Sequence, residues 1–120
     1  MLKILIIEDS DTVAAMYQRQ LVLDGFEVDV AKDGKEGLSK AEAAKHDVIL
    51  LDIVIPEISG LDLLQLLKKN KAIASVPVVA ISAFGSEENR RKALEFGAVE
   101  FIEKEKILPK DLSSLLRKVL

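Results

Sequence analysis

The stretch Val48-Ile49-Leu50-Leu51-Asp52 decides the fold, because four apolar residues are followed at once by a carboxylate. Three other short apolar runs also end on polar residues that can bind a phosphoryl group or a divalent cation. They are 3–7 before Glu8-Asp9, 78–81 before Ser82, and 101–102, which leads through Glu103 to Lys104. A polar residue after one strand can simply mark the end of burial. All strands of a parallel sheet end at one edge, where ligands bind, so the four runs together favour a functional site.

Short β-branched runs alternate with segments of helical period, which is typical of βα units around a parallel sheet. We predict strands near 3–7, 28–30, 48–51, 78–81 and 100–102, and helices near 12–23, 35–44, 61–69, 87–96 and 110–119. Gly25 and Gly97 stand where a glycine ends a helix, while Ser86 and Pro109 stand where a helix begins. The first, third and fourth runs are apolar throughout, which places them in the middle of the sheet.

These elements predict an α/β protein of flavodoxin-like fold. It is a (βα)5 three-layer sandwich with a five-stranded parallel sheet in the order 2-1-3-4-5. The mixed second and fifth strands then lie at the edges. The order reverses between the first and third strands, so Asp9 and Asp52 lie on either side of the crevice.

The composition is that of one globular domain over residues 1–120, with 49% hydrophobic and 31% charged residues. No apolar run is long enough to span a membrane, and residues 4–7 lead into acids rather than a signal-peptide cleavage site. We therefore expect a cytoplasmic protein without a membrane partner. With 17 Lys and Arg against 20 Asp and Glu, the net charge is −3, and the scattered basic residues exclude direct nucleic-acid binding. The absence of cysteine excludes thiolate metal sites.

In order and at strand ends, these residues resemble the receiver domain of two-component response regulators, of the single-domain chemotaxis type. Glu8-Asp9 matches the acidic pair after the first strand, and Ser82-Ala83 and Lys104 match the hydroxyl and the lysine of that family. Asp52, with Pro56 and Gly60 behind it, matches the phosphate acceptor. The resemblance covers essentially the whole chain.

The site chemistry follows from placing a nucleophilic aspartate against an anionic phosphoryl donor, which requires positioning and charge neutralisation. Mg²⁺ suits such a site because it prefers carboxylate and phosphate oxygens. The expected magnesium ligands are Asp9, Asp52, Glu8 through a water and, by the resemblance, the backbone carbonyl of Val54. Lys104 and Ser82 would stabilise the phosphoryl oxygens.

The resemblance further implies a switch made of Ser82 and Phe101. In receivers the hydroxyl moves toward the phosphoryl group, an aromatic at the Phe101 position turns inward, and the face formed by the fourth helix, fifth strand and fifth helix changes its partner. The implied partners are a sensor histidine kinase or phosphotransfer protein and a downstream target protein on that face. We expect a stand-alone monomer that can dimerise on phosphorylation and that catalyses only its own phosphorylation and dephosphorylation.

The sequence departs from the family pattern in two places that bear on the site. Glu105 follows Lys104 where the family usually has a cis proline; a non-proline cis bond costs about 3–4 kcal/mol, so we predict a trans bond. Val54 and Phe84, at the variable positions beside the phosphoryl group, offer nothing to orient an attacking water, so we predict slow self-dephosphorylation.

Two other function classes stay open at this point. A phosphatase with an aspartate nucleophile commonly has a second acid two residues later, but that position is Val54. A receiver-like scaffold could bind partners without phosphorylation, although every residue type of the site is present. His46, the only histidine, has charged neighbours and is predicted to be a solvated loop residue rather than a ligand.

Overall fold

The computed structural model of the protein describes residues 1–83 and 87–120. Phe84 and Ser86, for which the sequence predicted a place beside the phosphoryl group and a helix start, lie outside the described residues. The elements in chain order are β1 Lys3–Ile7, α1 Asp11–Leu23, β2 Glu27–Ala31, α2 Gly34–Ala43, β3 Val48–Asp52, α3 Gly60–Lys69, β4 Val78–Ser82, α4 Glu87–Glu95, β5 Glu100–Glu103 and α5 Leu112–Arg117, with 3-10 turns at Lys104–Lys106 and Pro109–Asp111.

The five strands form one parallel sheet in the order β2-β1-β3-β4-β5. This confirms the predicted flavodoxin-like fold and strand order. Every residue of β3 and β4 is buried, as expected for central strands covered on both faces. β2 and β5 lie at the edges and are only partly buried.

Side chains of each strand alternate between two apolar clusters, one on each face of the sheet. Leu5 and Ile7 of β1 point into the cluster covered by α2, α3 and α4, while Ile4 and Ile6 point into the cluster covered by α1 and α5. Fully burying each such side chain contributes about 1.5–3 kcal/mol. The three layers therefore hold the carboxyl ends of the strands in fixed positions.

The helix ends follow local side-chain chemistry. Ser10, Asp33 and Ser59 each accept a hydrogen bond from a backbone N–H of the helix that follows. Gly25 and Gly97 have φ of 95° and 112° after the ends of α1 and α4, which confirms their predicted role. Both conformations favour glycine because a Cβ is strained there.

The C-terminal helix begins later than predicted, because Pro109 opens a 3-10 turn and α5 starts only at Leu112. The helix is tied at both ends to the turn after α1. The Ser113 hydroxyl donates to the Asp24 carboxylate, Arg117 donates to the Asp24 carbonyl oxygen at 3.0 Å, and the Arg117 guanidinium lies 4.4 Å above the Phe26 ring.

The prediction that His46 is solvated is wrong, although it does lie in a loop. Its side chain is buried, with the residue 3% exposed, and Nε2 lies 2.8 Å from the Asp29 carboxylate on β2. This bond lowers the pKa of the Asp29 carboxyl. Nδ1 has no hydrogen-bond partner within the described part of the chain. Among the described residues, no helix has both the length and the hydropathy needed to cross a bilayer.

Candidate functional site

Three carboxylates meet at the carboxyl edge of the sheet. Glu8 and Asp9 follow β1, and Asp52 ends the neighbouring β3, whose Leu51 is paired with Ile7. One oxygen from each of the three carboxylates lies within 4.8 Å of the other two. The structure therefore brings together the acids that the sequence placed at two separate strand ends.

Hydrogen bonds hold both the backbone and the side chain of Glu8, although the residue lies just beyond the end of its strand. Its backbone N–H donates to the Ala31 carbonyl at 2.9 Å, which fixes the main chain against β2. Of the carboxylate oxygens, Oε2 accepts from the Ser10 N–H at 3.2 Å and Oε1 accepts from Lys104 Nζ at 2.6 Å. Only 2% of the residue is exposed, whereas Asp9 is open to solvent.

Asp52 also has both oxygens engaged, and it is 3% exposed. Oδ1 accepts from the Val54 N–H at 2.9 Å, and Oδ2 accepts from Lys104 Nζ at 2.8 Å. Lys104 comes from the far edge of the sheet, directly after β5, and its ammonium bridges the two buried carboxylates. Such charge-assisted bonds are the stronger class of hydrogen bond.

The ionisation of these groups reflects their crowding. Burial raises the pKa of the Glu8 carboxyl to about 7, with the bond to Lys104 opposing and the nearby Asp52 adding to the shift. Burial acts to lower the pKa of the Lys104 ammonium, but the bonds to Asp52 and Glu8 outweigh it and the pKa is raised. The lysine therefore stays charged beside Asp52.

The hydroxyl and the aromatic that the resemblance assigned to a switch are both buried. Ser82 ends β4 next to the site, and its Oγ donates to the Ala83 carbonyl at 2.9 Å. Phe101 is 4% exposed and lies in the cluster under α2, α3 and α4. Its carbonyl accepts from Arg90 of α4 at 3.5 Å. The ring therefore points inward in this structure.

A cleft of about 290 Å³ opens over the carboxylates. The described residues that line it are Glu8, Asp9, Ser10, Asp52, Val54, Ala83 and Lys104. The Val54 residue is 64% exposed at the rim. The Lys104–Glu105 bond is trans, as predicted, and it lies inside the 3-10 turn Lys104–Lys106.

The loop behind Asp52 is shaped by two unusual backbone positions. Glu57 has φ of 68°, in the left-handed region that a residue with a Cβ rarely adopts. Gly60 packs against the strand end so closely that an added Cβ would lie 2.2 Å from Ile53 Cα. The Gly60 N–H donates to the Ile53 carbonyl at 3.0 Å, which fixes the start of α3 against the end of β3.

The donor set fits a hard divalent cation. It consists of carboxylate oxygens, one of them solvent-accessible, and includes no thiolate or imidazole. Sequence reasoning found these oxygens, but it missed the backbone N–H groups of Ser10 and Val54 that orient Glu8 and Asp52. It also did not foresee that Lys104 bonds to Glu8. Ser10 had a visible signal, because serine before a helical segment favours an N-cap.

The chain belongs to the response regulator receiver domain family, whose profile matches residues 4–117. Among curated proteins, it is 34% identical over 119 residues to Response regulator ArlR of Staphylococcus saprophyticus, covering 99% of this chain and 51% of that protein. It is 30% identical over 118 residues to the alkaline phosphatase synthesis transcriptional regulatory protein PhoP of Bacillus subtilis, covering 98% of this chain and 48% of that protein. The chain spans about half the length of these curated relatives.

Solved structures agree with this assignment. The Vibrio cholerae chemotaxis protein CheY4 superposes with a TM-score of 0.93 at 29% identity, covering 100% of this chain and 99% of that chain. A CheY-like receiver domain protein from Methanospirillum hungatei gives a TM-score of 0.91 at 28% identity, covering 98% and 92%. Members of the family act in two-component systems, where phosphorylation and Mg²⁺ binding are general properties.

Proposed function

We propose that Asp52 accepts a phosphoryl group from the phosphohistidine of a sensor histidine kinase or phosphotransfer protein in a Mg²⁺-dependent reaction. The adduct then changes which target protein binds the face formed by α4, β5 and α5. The observation that carries the proposal is the position of Asp52. It is a buried carboxylate at the floor of a cleft, with an ammonium 2.8 Å away and two further carboxylates beside it.

The transfer step needs no general acid from this chain. One Asp52 oxygen forms a bond to phosphorus while the P–N bond of the donor breaks and its electron pair returns to the imidazole nitrogen. The imidazole leaves neutral when its other ring nitrogen already carries a proton. The protein therefore contributes positioning and charge neutralisation, which is the main requirement of phosphoryl transfer.

The negative charge of the phosphoryl group is balanced by groups that surround Asp52. The Lys104 ammonium lies close enough to Asp52 to donate to a phosphoryl oxygen bound there. The Ser82 hydroxyl would have to leave the Ala83 carbonyl before it could donate to a phosphoryl oxygen. Glu8, Asp9, Asp52 and the Val54 carbonyl would hold Mg²⁺, which when bound neutralises the phosphoryl oxygens. Val54 carries no acid or amide to orient a water, so the adduct hydrolyses slowly.

The output face has a groove of about 250 Å³ whose lining includes Ile107 and Leu115, with Arg90 and Lys106 at its border. An apolar groove with a charged rim suits a protein partner. We propose a cytoplasmic location, where histidine kinases present their phosphohistidine, and a monomer that can dimerise when phosphorylated.

The test is intact-mass spectrometry after incubation with acetyl phosphate. A single phosphoryl adduct is expected on the native protein with Mg²⁺, and none with a chelator or on the Asp52→Asn variant. A Glu100→Gln variant is the matched control, because this exposed acid lies outside the cleft. An adduct that persists in Asp52→Asn would refute the assignment of the acceptor, and no adduct under any condition would indicate a scaffold.

A further inference from the structure

Lys104 stands at the end of the sheet, where the 3-10 turn Lys104–Lys106 begins. β5 ends one residue before it, and the neighbouring Glu105 and Lys106 are exposed. A lysine side chain has a flexible four-carbon stem, so the position of its ammonium depends on what the nitrogen binds. Within the described chain, the hydrogen bonds found for Nζ go to Glu8 and Asp52.

These two carboxylates differ in what the reaction does to them. When Asp52 forms a bond to phosphorus, the negative charge of its carboxylate is lost and its bond to Lys104 weakens. Glu8 forms no bond to phosphorus, so the transfer leaves its carboxylate unchanged. It also makes the shorter contact, 2.6 Å against 2.8 Å.

Glu8 is itself fixed from outside the reacting group. Its second oxygen accepts from the Ser10 N–H, and its main chain is tied to Ala31 of β2. Ser10 is in turn the N-cap of α1, where its Oγ accepts from the Val13 N–H at 3.2 Å. A buried carboxylate held by these two bonds, one of them to an N-cap residue, is a rigid anchor for a flexible ammonium.

We propose that Glu8 is a positioning residue that holds Lys104 over the reacting centre, in addition to any contact it makes with a cation. Lys104 stays on Glu8 when the charge of Asp52 is removed, so the ammonium remains beside the phosphoryl group as the adduct forms. The inference rests on the phosphoryl-accepting function proposed above. It assigns Glu8 a role that a purely metal-binding carboxylate would not have.

The anchor is tested directly by NMR of the lysine ammonium group in ¹⁵N-labelled, metal-free protein, where burial and bonding slow the exchange of its protons with water. Loss of one ammonium signal in Lys104→Met assigns it. The signal is expected to persist in Asp52→Asn, which removes the charge of the acceptor, and to disappear in Glu8→Gln. Any other pattern overturns the proposal, including loss in both variants or persistence in both.

A kinetic measurement separates positioning from metal binding. The rate constant of adduct formation from acetyl phosphate is measured against Mg²⁺ concentration for the native protein and Glu8→Gln. A displaced ammonium lowers the plateau at saturating Mg²⁺ by about 10- to 100-fold. A shift in the Mg²⁺ requirement with an unchanged plateau means that Glu8 acts only as a ligand, which overturns the proposal.

A failure of phosphoryl transfer and a failure of the anchoring contact give different results. If the native protein forms no adduct, the proposed function is wrong, while the NMR experiment still decides whether Glu8 anchors Lys104. If the adduct forms on Asp52 but the ammonium signal is lost in Asp52→Asn and persists in Glu8→Gln, only the anchoring role is wrong. Far-ultraviolet circular dichroism of each variant confirms that the fold is retained before either result is interpreted.

Discussion

The contact between Gly60 and the end of β3 predicts a large cost for adding a single methyl group. In Gly60→Ala, the new Cβ would lie 2.2 Å from Ile53 Cα, 2.7 Å from Ile53 C and 2.8 Å from the Asp52 carbonyl oxygen. The first distance is about 1.2 Å shorter than the 3.4 Å at which ordinary contact begins. All three atoms are backbone, so no side chain can rotate away.

Relief of this clash requires the start of α3 and the end of β3 to move apart, which breaks the Gly60 to Ile53 hydrogen bond and loosens core packing. Overpacking in cores typically costs 1–3 kcal/mol, and a clash confined to backbone lies at or above the top of that range. We therefore expect Gly60→Ala to lower the free energy of unfolding by about 3 kcal/mol or more. Urea denaturation followed by circular dichroism measures this change.

Gly37→Ala is the matched control, because it places a methyl group in another helix at a similarly short distance. There the nearest atom is Ile7 Cδ1 at 2.7 Å, the far end of a flexible side chain. Alanine is also about 1 kcal/mol better than glycine inside a helix, which offsets the repacking. We expect a change within about 1 kcal/mol. Equal urea midpoints for Gly60→Ala and the native protein would refute the reasoning from backbone contact.

Three further predictions concern charge and strain. The pKa of the Glu8 carboxyl is about 7 in the folded protein and 4.5 in the unfolded chain, so the folded protein binds this proton more tightly. In metal-free protein, the free energy of unfolding is therefore expected to fall by about 3 kcal/mol as the pH rises from below 4.5 to above about 8. The difference between native protein and Glu8→Gln, measured by urea denaturation across this range, isolates the effect, and a difference independent of pH would contradict it. Glu57→Gly relieves the positive φ and should raise the thermal midpoint, with a gain of about 1 kcal/mol; an unchanged or lower midpoint would speak against strain at this turn. Asp29→Ala leaves His46 buried without its Nε2 partner and should lower the free energy of unfolding, measured in urea, by about 1–3 kcal/mol. The control Asp11→Ala breaks an exposed pair with Lys32 and should lower it by less than about 1 kcal/mol. Equal losses would show that the buried bond stabilises the fold no more than the exposed pair does.

The parts of the fold that followed from sequence are those set by local pattern. Apolar runs ending in Asp52 and Ser82 indicated strands and their common edge, because a buried strand stops where a polar side chain needs solvent or a partner. Gly25 and Gly97 marked helix ends because a left-handed backbone favours glycine. The convergence of Glu8 with Asp52 then followed from the strand order alone.

The parts that did not follow depend on distant partners or on side-chain reach. His46 lies between Lys45 and Asp47, which indicated solvent, but its burial is decided by Asp29, 17 residues earlier in the chain. The bond from Lys104 to Glu8 depends on the torsions of two long side chains, which no spacing encodes. The delayed start of α5 reflects the tight turn in which Asp111 Oδ2 accepts from the Leu108 N–H at 3.1 Å.

The bond between Lys104 and Glu8 joins residues that are 96 positions apart in the chain, because Glu8 directly follows β1 and Lys104 directly follows β5. Contact between them requires β1, β3, β4 and β5 to lie side by side, because β3 and β4 separate β1 from β5 in the sheet. A newly made or partly unfolded chain therefore has acids at its first strand but no ammonium beside them. The contact that neutralises the site is therefore present only in a molecule whose sheet is complete from β1 to β5.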